Sequence, residues 1–422
     1  MSHGVKVSRR TATWPVAQLF RQWTKMVVVV TTSDGSCGLM RVIGLMSGTS
    51  YDAIDAAAAD LRLDGDQLVL SPLGMLSQPY SAELRTAVAA SLPPASTTME
   101  QVCRLDTEIG QAFAEVAQQA VEQLCGGYAD LIVSHGQTVF HWVDKGSVRG
   151  TLQLGQPAWI AEATGVPVVS DVRARDVAAG GQGAPLVSII DVLWLRGRPG
   201  VPVALNLGGI ANITVVHGEP VAFDTGPANA LIDAVVSELV GQPFDADGAL
   251  AARGTVHEEL LGRLLAEPYY ARPAPKSTGK ELFNLAYLAR ALEGLPDASA
   301  EDLVATVTTL TARTVADAVR RYGGTEVIAS GGGIRNPVLM HRLAAELGLP
   351  VRTTDELGLP SAAKEAYAFA VLGFLTVHGL GGTVPSCTGA RHSSVLGSVT
   401  PGLSGLPVIT GEDRPPVRLV VE

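Results

Sequence analysis

Residues 42–55 read VIGLMSGTSYDAID, and residues 203–216 read VALNLGGIANITVV. Each is a short apolar run, a turn of small residues and a second apolar run. The turn is Ser47-Gly48-Thr49-Ser50 in one and Gly208-Gly209 in the other. Apolar runs bounded by Gly and Ser read as strands, so both stretches read as strand–turn–strand hairpins. Beyond each hairpin the pattern of elements restarts in the same manner. After the first come a strand at 67–70, helices at 81–92 and 98–124, and strands at 130–134, 151–155 and 166–170, with a helix at 157–164 between the last two. Leu105, Ile109, Phe113 and Val116 keep the helical spacing of one buried face. After the second come a strand at 221–223 and a helix with Pro227 as its first residue and Gly241 at its cap. A strand at 326–330 and a last helix at 361–375 complete the series. Strands alternating with helices specify an α/β fold with a parallel or mixed sheet. A repeat this long reads as duplication, since solenoid periods are about 20–50 residues. The expected architecture is two α/β lobes: lobe I over 40–171, lobe II over 172–375, a C-terminal return segment over 376–404 and a tail over 405–422. Residues 1–39 read as a disordered extension or as an upstream start codon chosen in error.

The chain has 422 residues, 47% hydrophobic and 17% charged, which is ample for a buried core. A net charge of −10 sets nucleic acid and anionic membrane aside as partners. Cys37, Cys103, Cys125 and Cys387 are scattered with no CxxC pair. That argues against a zinc site or a disulfide framework and for a reducing cytoplasm. Met26-Val27-Val28-Val29-Val30 falls short of the roughly 18 apolar residues of a membrane span.

A turn of Gly, Ser and Thr lets backbone N–H groups approach an anion, because no bulky Cβ intervenes. Two such turns on facing lobes, with Gly331-Gly332-Gly333 at the end of a third strand, can grip a polyphosphate from both sides. The ordinary reading of one such turn is a tight hairpin. GxxxxGK[ST] does not occur, so a P-loop is unavailable. Asp52 and Asp55 come directly after the first turn. Asp52 beside phosphates would hold Mg2+, through water, or would accept hydrogen bonds from its own turn. Asp224 stands between an apolar strand and a helix start, where α/β sheets bind ligands. It is either a general base or a helix cap. His135 and Gln137 in the polar turn SHGQT, Arg173 and Asp176 in DVRARDVAAGGQGAPLV, and Lys276 in PKSTGK are the candidate substrate-binding residues. Against this stand a structural histidine, a solvated loop and an exposed lysine turn.

MSGTSYDAID, SHGQT, DVRARDVAAGGQGAPLV, LNLGGIANIT, FDTGPAN, FDADG, PKSTGKELFN and ASGGGIRN occur in that order. Together they resemble the anhydro-N-acetylmuramic acid kinase family of the actin/hexokinase/Hsp70 ATPase superfamily, over about residues 41–400. The resemblance implies a two-lobed actin-like ATPase fold of duplicated ribonuclease H-like domains with a central cleft. It implies ATP and Mg2+ as cofactors, a cytoplasmic enzyme of cell-wall recycling, and a possible homodimer. The substrate would be 1,6-anhydro-N-acetylmuramic acid, converted to N-acetylmuramic acid 6-phosphate. It places Gly48, Thr49, Ser50, Tyr51, Asp52, Ala53, Ile54 and Asp55 on the nucleotide phosphates. Gly208 and Gly209 fall on the second clamp, Gly331, Gly332 and Gly333 beside the adenosine, and Asp224 at the catalytic base. Ala53 and Ala228 stand where the family has glycine, which bears on loop geometry. The alternatives are a superfamily kinase for another sugar or acid, and a non-catalytic actin-like ATP-binding protein.

Overall fold

A computed structural model describes residues 38–144, 147–407 and 414–422. Nearly all of the expected N-terminal extension lies outside them. Strands β1 (Met40–Met46), β2 (Ala53–Asp64), β3 (Gln67–Pro79), β4 (Leu131–Ser134), the separate hairpin β5 (Gln137–Asp144) and β6 (Ser147–Leu154), and β7 (Val168–Ser170) belong to the first half. Strands β8 (Pro202–Leu207), β9 (Ile210–Val215), β10 (Val221–Pro227), β11 (Glu326–Ser330) and β12 (Val351–Thr353) form a second sheet. Strands β13 (Ser398–Thr400) and β14 (Arg418–Val421) join the first sheet at its two edges.

The first sheet runs β3-β2-β1-β4-β7 in its centre, and the second runs β10-β9-β8-β11-β12. In both, the opening hairpin and the next strand are antiparallel, while the fourth and fifth strands are parallel to the first. One strand order used twice makes the two-lobed, actin-like ATPase fold.

Each central strand is buried on both faces. In β1, Met40, Val42 and Met46 face one apolar cluster, which includes the helix Lys364–Val377. Ile43 and Leu45 face another, which includes the helix Met99–Gln123. That second helix buries Leu105, Ile109, Phe113 and Val116, as their spacing predicts. Gly44 sits where an added Cβ would come within 1.9 Å of the Ala366 carbonyl oxygen, so glycine here lets helix and strand backbones touch.

The chain divides differently from the expected lobes. The helix Lys364–Val377, assigned to lobe II up to 375, packs on β1, β2 and β4 of the first sheet. Within the expected tail, Arg418–Val421 pairs in parallel with Gln67–Leu70 of β3. An apolar helix and a strand carry no label for the sheet they join, and sequence order misplaced both. Pro227 also differs. It closes β10, paired with Ile210, and the helix starts at Asn229. A bulge between Asp224 and Gly226 carries the strand that far, and the helix does end at Gly241 as expected.

A buried ion pair ties the halves together. Lys364 Nζ lies 2.6 Å from Asp191 Oδ1, with both side chains under a tenth exposed. Asp191 is in the helix Ser188–Leu195, and its Oδ2 accepts from Thr214 Oγ1 of β9 at 3.2 Å. Lys364 Nζ also reaches Ser330 Oγ, at the end of β11, at 3.4 Å.

Candidate active site

The first turn leaves β1 at Met46. Tyr51 N–H closes it on the Gly48 carbonyl at 3.1 Å, and Tyr51 takes φ 43°, an uncommon conformation for a non-glycine residue. Ser47 Oγ donates to Gln137 Oε1 at 2.7 Å, while Gln137 Nε2 donates to the Gly48 carbonyl at 3.1 Å. Gln137 is fully buried. It therefore braces the turn and does not face a ligand, unlike its expected substrate-binding role. Thr49, Ser50 and Asp52 are at the tip, and all three are exposed. Asp52 Oδ1 accepts from Ser50 Oγ at 2.7 Å and from Ala53 N–H at 3.1 Å. Ala53 and Ile54 open β2, so Ala53 is ordinary extended backbone.

The second turn is held by main chain. Asn229 N–H donates to the Gly208 carbonyl, and Ala228 and Ala230 N–H donate to that of Gly209, all at 3.0 to 3.1 Å. Ala228, which stands where the family has glycine, takes φ −128° and ψ −121°. Ser330 pairs with Asn206, so Gly331, Gly332 and Gly333 leave β11 beside the second turn. A Cβ on Gly331 (φ 86°) would lie 2.5 Å from Asn206 Oδ1, and one on Gly333 would lie 2.7 Å from Leu207 Cβ.

Register places Asp224, Asn212, Asn206 and Ser330 in one row across the second sheet. Directly paired residues share a face. This row shares its face with Thr214 and Ala204, the side that carries Asp191 and Lys364 and so looks toward the first lobe. Asp224 Oδ2 accepts from Thr278 N–H at 2.9 Å. Among the described residues Oδ1 has no hydrogen-bond partner. Burial pushes the Asp224 carboxyl up to about 6, and the Glu281 charge pushes the same way. The Thr278 N–H and the Lys276 charge oppose that rise. A carboxylate of this kind has the properties of a general base near neutral pH. The helix-cap alternative does not hold, because the helix starts five residues later at Asn229.

In the first lobe, β4 and β7 end at the same side as β1. His135 is buried, and its Nε2 lies 2.9 Å from Arg173 Nε. Arginine only donates, so Nε2 accepts and Nδ1–H donates to the Gly136 carbonyl at 2.8 Å. Burial, with the Arg173 charge, holds the imidazole well below its usual value and hence neutral. Arg173 also donates through Nη1 to the Gly183 carbonyl at 2.7 Å. Burial lowers its pKa to about 10, with Glu365 and Asp176 opposing, so it stays cationic. Asp176, expected to bind substrate, is consumed by structure. Its Oδ2 accepts from Gly183 N–H at 2.7 Å and its Oδ1 from Thr388 Oγ1 at 2.8 Å. Lys276 is not joined to this group either. Its ammonium donates to the Tyr269 and Tyr270 carbonyls on the second lobe.

Sequence reading missed Glu365. Burial raises its carboxyl pKa, opposed by the charges of Arg173 and Lys364 and reinforced by Asp55 and Asp191. The available signal was a Lys-Glu pair opening an otherwise apolar helix. Asp55 is raised chiefly by burial and lowered in part by Arg335, which comes just after the Gly331–Gly333 turn. Asp55, near the start of β2, and Arg335, just after the second-lobe glycines, thus feel each other's charge. Among the described residues no group of three or more His, Cys, Asp and Glu is arranged to cage a metal.

A family model described as anhydro-N-acetylmuramic acid kinase matches residues 40–402. The chain belongs to the anhydro-N-acetylmuramic acid kinase family. It is 69% identical over 386 residues to the protein of that name from Streptomyces avermitilis, covering 91% of this chain and all of the relative. It is 65% identical over 395 residues to the one from Rhodococcus erythropolis, again covering 91% of this chain and all of the relative. With the namesake from Gloeobacter violaceus it shares 43% over 372 residues, 85% of this chain and 98% of the relative. The match to this kinase family takes in both hairpins and Asp224, and also the helix that carries Glu365.

Proposed function

We propose that the chain is an ATP-dependent kinase that opens 1,6-anhydro-N-acetylmuramic acid with water and phosphorylates O6, giving N-acetylmuramic acid 6-phosphate and ADP. The observation that carries this reading is Asp224. It is a half-buried carboxylate with one oxygen fixed and one free, on the sheet face that looks toward the first lobe, in the same row as the ends of β8 and β11.

Asp224 Oδ1 takes a proton from water as its oxygen bonds to the anomeric carbon. The anomeric carbon–O6 bond breaks, and O6 attacks the γ-phosphorus as the bond to the ADP oxygen opens. The turn at 47–52 and the glycines at 208–209 hold the triphosphate from two sides with N–H groups, which serves positioning and charge stabilisation, and Gly331–Gly333 lie beside the adenosine. Mg2+ would be held by Asp52 through water and would neutralise charge on the phosphoryl oxygens. Arg173, pinned through Nε and Nη1, keeps Nη2 for the lactyl carboxylate of the sugar. His135 keeps that arginine aligned. The reading extends to a cytoplasmic homodimer, for which the scattered cysteines and the family precedent are the support.

A coupled ADP-release assay with 1,6-anhydro-N-acetylmuramic acid against a panel of hexoses and amino sugars is the direct test. Turnover confined to another sugar would sink the substrate assignment. Asp224→Asn that binds ATP yet turns over at the parental rate would sink the role of the base.

A further inference from the structure

Strand β10 is the free edge of the second sheet, and the segment around residues 276–278 wraps it. Asp224 N–H donates to the Lys276 carbonyl at 3.2 Å, and Thr278 N–H then reaches round to Asp224 Oδ2. Side chains alternate along a strand, so Phe223 and Thr225 point to the face opposite Asp224. The Lys276 side chain lies on that opposite face. Its Nζ donates to the Tyr269 and Tyr270 carbonyls at 3.0 and 3.1 Å, and sits 4.5 Å from the Tyr269 ring centre and 5.6 Å from that of Phe223. Tyr269 Oη in turn donates to the Asp224 carbonyl at 2.8 Å. The bonds form a closed circuit: Asp224 main chain, Tyr269, Lys276 ammonium, Lys276 main chain and back to Asp224.

We propose that Lys276 is a positioning residue for the catalytic base: its ammonium locks the 276–278 loop so that Thr278 N–H fixes Asp224 Oδ2 and leaves Oδ1 as the proton acceptor. This rests on the reading of Asp224 as base. It moves Lys276 from the substrate to the opposite side of the strand. A lysine suits the task because an ammonium can bond two converging carbonyls and lie over two rings at once. The charged groups facing this unit are few. Asp224 is faced by Lys276 and Glu281, and Lys276 by Arg272, Arg321 and Asp224, with Asp317 on the far wall. Burial and the neighbouring arginines bring Lys276 down to about 8, while Asp224 draws it back up. A cavity of about 130 Å³, lined in part by Phe223, Thr225, Tyr270, Lys276 and Arg321, adjoins the ammonium. A small amine can therefore reach the place that a shortened side chain vacates.

The test is the pH profile of kcat/KM for Lys276→Met, Lys276→Arg and Lys276→Ala in the full chain, with Asp224→Asn in parallel. Lys276→Met should lower kcat by about 100-fold, the cost of roughly an ångström of misplacement, and leave the KM for ATP within about a factor of two. Its acid limb should move to higher pH, since a cation and an N–H donor that favour the carboxylate are both weakened. Lys276→Arg keeps the charge and should keep the acid limb in place. Lys276→Ala should regain about tenfold in kcat, saturably, with propylammonium but not with tetramethylammonium, which has no N–H to donate. An unmoved acid limb in Lys276→Met, or no rescue of folded Lys276→Ala, overturns the proposal. If Lys276→Met fails to fold, the amine rescue of Lys276→Ala decides alone. Should Asp224→Asn retain turnover, the base assignment itself is what fails. An inactive Asp224→Asn beside an unmoved limb removes only the role of Lys276.

Discussion

In the first lobe the turn at 47–50 is held by a side chain: Gln137 bonds both Ser47 and the Gly48 carbonyl, from a different strand. In the second lobe the corresponding turn is held by main-chain N–H groups of Ala228, Asn229 and Ala230, at the start of the next helix. Space does not separate the two turns: a Cβ on Gly48 would meet nothing closer than Ser50 Oγ at 3.7 Å, and one on Gly208 or Gly209 nothing closer than 3.6 or 3.4 Å. The crowding lies next door, at the end of β11, where a Cβ on Gly331 would collide with Asn206 and Leu207. One strand order thus supports one turn whose shape depends on a buried amide, and another whose shape is held by the backbone of the next helix. Duplication preserved where the two turns sit and left open how each is held.

The largest effect that bears on this comparison concerns Asp224, the proposed base on the second lobe. Asp224→Asn should lower kcat by about 10²–10⁴-fold, the usual contribution of a positioned base, with ATP binding by calorimetry unchanged. In the parent, activity should fall as pH drops through about 6, where Asp224 gains its proton. The stability sign is opposite. A carboxyl raised in the folded state adds stability below its unfolded value of about 3.9, and this is lost as pH rises through about 6. Asp224→Asn should therefore be more thermostable than the parent at pH 8, with the gap closing towards pH 4. Next, breaking the link between the lobes by Lys364→Met leaves Asp191 buried and unpaired. It should cost about 3–5 kcal/mol in denaturant unfolding.

Gly331→Ala should then destabilise by about 1–3 kcal/mol through strain and overpacking. Gly48→Ala should leave the melting temperature nearly unchanged while weakening ATP. Equal melting losses in the two variants would erase the contrast between the open first turn and the crowded end of β11. A smaller loss of stability than for Gly331→Ala is expected for Gln137→Leu. The Gly48 carbonyl keeps Tyr51 N–H and Ser47 Oγ keeps the Ala53 carbonyl, so losing the two amide bonds should cost about 1 kcal/mol and raise the KM for ATP, with kcat less affected. No single side-chain truncation near Gly208-Gly209 should reproduce that pairing of effects.

Both hairpins, the strand ends and the carboxylate at 224 were legible in the sequence, because each is local. Apolar runs, small-residue turns and helical spacing are written within a few residues of one another. The features that were not legible depend on distant partners. Gln137 and Asp176 carry polar groups of the kind that bind sugars, but Ser47, Gly183 and Thr388 use them up, and no spacing shows that. Lys276 sits in a turn that looks exposed, yet its ammonium is engaged by two carbonyls. Glu365 was overlooked because its helix reads as plain core, and its neighbours Arg173 and Asp55 come from far along the chain. The lobe boundary near 375 failed for the same reason.

The helix Lys364–Val377 has a further consequence for how the protein is made. Tyr367 bonds the Gly74 carbonyl across 293 residues of chain, and the same helix seals the inner side of the first sheet. A ribosome releases that sheet's core strands long before it releases their cover. Until then Val42, Leu61 and Val133 remain an open apolar surface, a hazard for aggregation during synthesis. The second sheet, whose long helix Ala300–Arg321 comes out before β11, is spared most of that wait.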